Sequence, residues 1–278
     1  MSSQHRWSLR TLAQLPKGSS ETARVLLRDV TDRLFDQYQA CRQLQQLSDR
    51  QPPPPPPPHQ HQESSLLHTN LHHLTVVQRD TFEQCQKLLL SNNHSQRILT
   101  RWSAADQFYV TALMKQTRDR HAPALERWVD VATEFHHVLH HQPQPQENSS
   151  NHSILDNILE RRMGIQLLTD HYDRLQKEYF PNGAVHVDKP LVSCLQEAYQ
   201  EAQTMAEVHL SATPEMVLQL ETETDLDETD YTCTVVRSWM DHALVEIFKN
   251  AIQATVEKVQ HEQPGSRSFD SSSLPPIQ

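Results

Sequence analysis

Residues 21–47 read ETARVLLRDVTDRLFDQYQACRQLQQL, and this stretch decides the fold class. Val25, Leu26, Val30, Leu34 and Tyr38 fall on one face of a 3.6-residue helix, leaving the charged side chains on the other. Ser20 and Thr22 are candidate N-caps, because a hydroxyl there accepts from the unpaired N–H groups of a first turn. The same period predicts a second helix over 67–90, through Leu71, Leu74, Val77, Phe82, Cys85 and Leu89. A third is expected over 95–141, kinked at Pro123, since proline removes a backbone donor and crowds the preceding turn. A fourth runs over 154–179 through Ile158, Met163, Ile165, Leu168, Tyr172 and Leu175. Between the first two lies a Pro/His/Gln-rich insertion over 50–65 with seven consecutive prolines, Pro52 to Pro58, which reads as a polyproline spacer. As an SH3 or WW ligand it is a weak motif, having no flanking specificity residue. Residues 1–180 therefore predict a four-helix bundle.

Composition agrees. The chain has only 4 glycines in 278 residues, too few for the tight turns of an all-β fold or for a phosphate-cradling loop. It is 36% hydrophobic and 22% charged, with 25 Lys+Arg against 35 Asp+Glu for a net charge of −10. An acidic chain without a basic stripe is a poor partner for nucleic acid, and no run of apolar residues is long enough to span a membrane. Glu221, Glu223, Asp225, Asp227, Glu228 and Asp230 form a solvated acidic loop. Cys41, Cys85, Cys194 and Cys233 show no CxxC spacing and read as reduced, buried thiols. Before Glu21 the N-terminus carries His5, Arg6, Arg10 and Lys17 but no acid. That suits a mitochondrial transit peptide, and the apolar residues Leu9, Leu12 and Leu15 suit the start of a helix equally well.

The character changes after Phe180-Pro181-Asn182-Gly183. A helix is expected over 191–210, strands over 215–220 and 231–237 around the acidic loop, and a helix capped by Ser238 or Asp241 running to about 259. Residues 185–278 thus predict an α+β unit. Its last helix holds His242, Glu246 and Asn250 at spacings of four, one stripe, with Leu244, Ile247, Phe248 and Ala251 expected to pack the other face. A carboxylate on such a stripe can deprotonate a hydroxyl, an imidazole beside it tunes its basicity, and an amide oxygen is a hard ligand for Mg²⁺. Lys249 adds a point charge. The same residues also suit a plain solvated helix with an E-x-x-K ion pair.

Together, Val235-Val236-Arg237-Ser238, His242 and Glu246-Ile-Phe-Lys249-Asn250-Ala251 resemble the N box of the mitochondrial pyruvate dehydrogenase kinase and branched-chain 2-oxoacid dehydrogenase kinase family. Thr117-Arg118-Asp119-Arg120-His121 with Pro123 resembles the family's R-x-R-H segment. Ile158 to Ile165, continuing to Leu168 and His171, resembles the segment that follows it, and 191–210 resembles the first helix of its ATP-binding domain. The resemblance covers most of residues 20–260 outside the proline insertion.

It implies a helical bundle followed by the start of a histidine-kinase-like ATPase domain, a transferase that phosphorylates protein serine with MgATP in the mitochondrial matrix. By it, Glu246 is the general base, His242 its partner and Asn250 the ligand of the Mg²⁺-nucleotide, with Lys249 and Gln253 beside the nucleotide. Arg118, His121 and Arg162 match residues that line a pocket for small carboxylate regulators, which need convergent cations. The implied partners are the dehydrogenase component of the 2-oxoacid dehydrogenase complex as substrate and the lipoyl domain of its acyltransferase core, with Leu12, Leu15, Leu26 and Leu27 as contacts. A homodimer is also implied. His242 tilts the subtype towards pyruvate. Two departures stand out: Gln253 and Gln166 occupy positions where the family usually has Arg. The family's Asp-x-Gly-x-Gly box and Gly-rich lid do not occur in the stretch from Gly265 to Gln278, so the expectation is one wall of an ATP site, from an incomplete copy in preference to a pseudokinase.

Three other signals have plainer readings. His136, His137, His140 and His141, like His59 and His61, belong to a His/Gln-biased composition rather than to a metal site. His121 with Pro123 also suits a two-component-type histidine kinase, against which the following residue is Ala122 and not an acid. Trp102 and Trp128 are expected as core or interface anchors. The reading from another class is a non-catalytic helical adaptor that binds the complex without hydrolysing ATP.

Overall fold

Apolar residues at helical spacing build most of this chain. A computed structural model describes residues 7–50, 63–93, 104–140, 145–210, 212–218, 231–262 and 274–277. Among these it is mainly helical, with a two-stranded sheet. The order is α1 (Leu9–Ala13), α2 (Ser20–Arg50), α3 (Glu63–Asn93), α4 (Ala104–His121), α5 (Ala124–His140), α6 (Pro145–Leu175), β1 (Val185–Pro190), α7 (Leu191–Glu207), β2 (Thr232–Val236) and α8 (Arg237–Glu262). No helix among the described residues is long and apolar enough to cross a membrane. The proline run, the acidic loop, His59, His61, His141 and Trp102 lie outside the described residues.

Leu15–Gly183 form one compact unit. In it α2 packs along α3 and α6, and α4 along α6. Cys41 and Leu44 of α2, Leu71 and Leu74 of α3, Trp128 and Val131 of α5 and Ile158 of α6 share one buried cluster. Pro123 does more than kink the third helix. Ala122 N still donates to Arg118 O at 2.9 Å, but proline has no N–H to continue the ladder, and the helix stops at His121 and restarts at Ala124. The last helix of the unit begins earlier than its apolar pattern, at Pro145, because proline at the first helical position sacrifices only a donor that has no partner there.

The second unit groups Trp7–Gln14 with Ala184–Gln278. The segment Leu9–Ala13 is a short helix, capped by Ser8 Oγ accepting from Thr11 N at 3.0 Å, that packs on both strands and buries Leu12 fully. The strands pair antiparallel, Val185 against Val236 and Lys189 against Cys233, with a bulge where Asp188 adopts φ +54°. β1 corrects the sequence reading, which placed no strand at 185–190: its Val-His-Val alternation is three residues long before the bulge and too short to register as a period. The strand expected over 215–220 is reduced among the described residues to one parallel bridge, Met216 to Ile277, with Ile277 N on Glu215 O and Val217 N on Ile277 O, both at 2.9 Å. α8 needs no cap at Ser238 or Asp241, since it starts at Arg237 directly from β2.

Helix α7 lies against α8 through Ala198, Tyr199, Ala202, Val245 and Ile252, with Tyr199 edge-on to Phe248 at 5.6 Å between ring centroids. Tyr199 OH donates to the carbonyl of Pro214, so this buried phenol is satisfied. The face of α8 that packs is therefore Val245, Ile252, Val256 and Val259. Ile247, expected inside, is 59% exposed.

Two glycines make a controlled comparison. Gly183 has φ +62° and a Cβ there would lie 2.9 Å from the carbonyl oxygen of His171, whereas Gly18 has φ +61° and open space around it. Gly18→Ala adds only left-handed strain, about 1 kcal/mol, and Gly183→Ala adds a backbone collision to the same strain, for about 2 kcal/mol or more. Urea midpoints measure both. Equal losses at the two sites would contradict the packing described for Gly183.

Candidate functional site

The residues singled out in the sequence fall into two groups, one in each unit. In α8, Lys249 Nζ donates to Glu246 Oε1 at 2.7 Å, one turn apart, with both side chains partly exposed. That hydrogen bond, against some desolvation and helped by the charges of Lys249 and His242, holds the Glu246 carboxyl below its usual range. Glu246 is thus ionised at neutral pH and can accept a proton, but only by giving up its lysine. His242 and Asn250 are exposed along the same stripe. Gln253 is exposed too and donates to Glu257 Oε1 at 2.8 Å.

An open cleft of about 590 Å³ lies where the end of α7 meets α8. Its apolar floor includes Met205, Val208, Leu210 and Val256, and Lys249 and Gln253 stand at its edge. His242, Glu246 and Asn250 do not line it. The sequence pattern thus brings Glu246 and Lys249 into contact and leaves His242 and Asn250 facing solvent.

In the helical unit the geometry is tighter. Arg162, on α6, is 6% exposed, and its Nη1 donates to the carbonyl oxygen of His121 at 2.8 Å. Among the described residues it has no carboxylate within ion-pair distance. His121, at the end of α4, is 5% exposed, and Gln78 Nε2 of α3 donates to its Nδ1 at 3.3 Å. With the Gln78 amide in this orientation its nitrogen can only donate, so Nδ1 is the acceptor and the ring proton sits on Nε2. Nε2 has no partner among the described residues. Burial, then the charges of Arg162 and Arg120, push the His121 imidazolium down to about 4, so the ring is neutral. Arg118 points into an ion pair with Asp173 at 2.9 Å and touches Asp119 at 3.3 Å, so its charge is already matched. Gln166 is exposed.

Two residues of this place escaped the sequence reading. Gln37 of α2 is fully buried with both amide atoms unpartnered, and Gln78 Oε1 is unpartnered as well. Phe35 meets Phe82 at 5.2 Å between centroids and Arg161 reaches Asp36 at 3.8 Å, which sets α3 and α6 level with this part of α2. Gln78, His121 and Arg162 are thus joined by hydrogen bonds into a polar layer, and the buried Gln37 of α2 stands near the same level. The signal was present: Val30, Leu34, Gln37, Cys41 and Leu44 share one stripe, as do Leu71, Leu74, Gln78, Thr81 and Cys85, and each glutamine interrupts an apolar series.

Among the described residues such a layer has donors and a buried positive charge but no anion, which is what a carboxylate requires. Three of the four partner contacts expected near the N-terminus have no exposed surface. Leu12, Leu26 and Leu27 are fully buried and offer no surface, and only Leu15 is partly exposed. No protein-family model matches this chain, and no curated protein matches its sequence at a significant level.

The neutral His121 gives a pH dependence with a defined sign. Unfolded, it titrates near 6.5, and folded near 4. Between those values the unfolded chain binds the extra proton, so the stabilisation is whole above about pH 6.5 and is lost as pH falls towards 4. At 1.36 kcal/mol per unit this is roughly 3 kcal/mol. Denaturation of wild type and His121→Asn across that window should show a flatter profile for the variant by that amount, and parallel profiles would mean His121 is not the titrating group.

Proposed function

We propose that this chain is a protein-serine kinase acting on a mitochondrial 2-oxoacid dehydrogenase complex, of the pyruvate subtype, with its helical unit working as a four-helix bundle that senses a small carboxylate. The observation that carries the reading is Arg162: a buried guanidinium with no acid within ion-pair distance among the described residues, beside a neutral His121, at positions where the resemblance puts regulator-binding residues. A core that merely needed filling would hold leucine there, because burying a lone cation costs several kcal/mol.

The residues of α8 fit the chemistry by type. Glu246, already ionised, takes the proton of the serine hydroxyl once that hydroxyl replaces Lys249 against it. His242 adds positive charge beside it when protonated. Asn250 offers the amide oxygen that Mg²⁺ accepts, and Lys249 and Gln253 stand beside the cleft with charge and donors for phosphate. MgATP, when bound, supplies the phosphoryl group. The family's second wall, an Asp-x-Gly-x-Gly box and a Gly-rich lid, does not occur in these residues. The partners of this reading are the dehydrogenase component and the lipoyl domain of the acyltransferase core, in the mitochondrial matrix, with the kinase as a homodimer.

The adaptor reading rests on the Glu246–Lys249 pair closing on itself while His242 and Asn250 face solvent, as on any solvated helix. One assay separates the two. Incubated with MgATP and the dehydrogenase component, the protein is expected to place phosphate on serine, and Glu246→Gln, with helicity unchanged, to lower the rate by ~10²–10⁴-fold. An unchanged rate in the variant removes Glu246 as the base. Stable association with the complex and no phosphoserine establishes the adaptor.

A further inference from the structure

Two of the four cysteines, Cys194 of α7 and Cys233 of β2, lie in the second unit, near enough that Cys233 adds to burial in pushing the Cys194 thiol up. In an antiparallel pair, residues directly opposite each other point to the same face of the sheet, and Cys233 of β2 is directly opposite Lys189 of β1. Lys189 shows which face this is, because its Nζ reaches Glu197 Oε1 of α7 at 3.5 Å. Cys194 stands one turn before Glu197 on the same stripe of α7, and is 2% exposed. Helix α7 cannot drift from this face: it follows β1 without a break, and Leu191 N donates to Tyr231 O at 2.8 Å. Cys233 is partly exposed, and its Sγ donates to Lys189 O at 3.5 Å. Both thiols are free.

We propose that Cys194 and Cys233 are a redox-responsive pair that closes into a disulfide between α7 and β2 when the protein meets hydrogen peroxide. The order of events follows from exposure. Cys233, within reach of solvent, reacts first: its thiolate sulfur attacks a peroxide oxygen and displaces hydroxide as the O–O bond breaks, leaving a sulfenic acid. Cys194 then attacks the sulfenyl sulfur, the S–S bond forms as the S–O bond breaks, and water leaves with the Cys194 proton. The two thiols give up two electrons and peroxide becomes two waters. Burial pushes the Cys194 thiol up against the pull of the Lys189 ammonium, which suits the second, resolving role inside the unit better than the first. Cys41 and Cys85 are fully buried in the helical unit, with thiols pushed up to about 12 and about 11, and are not candidates for attack. The consequence is local: β2 runs directly into α8, so the bridge ties the first turn of α8 to α7. The pair stands whether or not α8 is catalytic.

The test uses the full folded chain. After exposure to a small excess of hydrogen peroxide, free thiols are alkylated under denaturing conditions and the protein is cut after glutamate, since Glu197 and Glu228 lie between the two cysteines. Mass spectrometry is expected to find the Cys194 and Cys233 peptides joined within one chain, two hydrogens lighter than their sum, while Cys41 and Cys85 are alkylated. In Cys194→Ser, which lacks the resolving thiol, Cys233 is expected to be trapped by dimedone as its sulfenic acid. Recovery of both residues as alkylated thiols, a link between two chains, or Cys233 as sulfinic acid beside a free Cys194 would each overturn the proposal. So would failure of dimedone to label Cys233 in the variant.

Discussion

A guanidinium shut among four helices, with a backbone carbonyl as its hydrogen-bond partner, constrains the helical unit more than any apolar contact does. Leucines can slide past one another by a turn at modest cost, but Arg162 cannot leave the His121 carbonyl without stranding a charge. Nor can His121 move from Gln78 without leaving its Nδ1 unpaired. These two hydrogen bonds tie α6 to the end of α4 and the end of α4 to α3. The break at Pro123 serves the same arrangement, because it ends α4 at His121 and so leaves the carbonyl of that residue without a helical N–H to accept from. The layer fixes register, and it leaves donors and charge unspent.

How legible this was depends on the kind of signal. Long helices wrote themselves into the sequence, because stripes such as Leu26, Val30 and Leu34 repeat for many turns. Short elements did not. β1 has two valines before a bulge at Asp188, and α1 has a single buried turn held by the Ser8 cap, so neither reaches the length at which a period can be distinguished from chance. The polar layer was half legible. Arg118, His121 and Arg162 stood out as cations, yet Arg118 proves to be paired with Asp173, while Gln37 and Gln78, which complete the layer, passed as ordinary polar residues because only the helix phase reveals that they face inward.

The second unit shows the opposite balance. Its α8 stripe was the most readable pattern in the chain, and on the folded helix it is open: Glu246 holds Lys249, and His242 and Asn250 face solvent. Spacing places residues on a face but does not say what covers that face. Packing along α8 follows Val245, Ile252, Val256 and Val259, so the polar stripe is what this core leaves outside. Strength of pattern and strength of constraint are therefore separate. The open stripe holds the residues of the proposed chemistry, and the closed layer holds those of the proposed carboxylate recognition.

His121 reports directly on the carboxylate recognition proposed for that layer. With histidine labelled in ¹⁵N, the Nε2–H resonance of the full chain can be followed while pyruvate is added at neutral pH. A carboxylate arriving between Arg162 and His121 would accept from Nε2–H and favour the imidazolium. Carboxylate recognition at this layer predicts a saturable shift of that resonance and a His121 pKa raised from about 4, both abolished in Arg162→Met. A resonance that ignores millimolar pyruvate would contradict it, and would reduce the layer to a device for holding four helices in register.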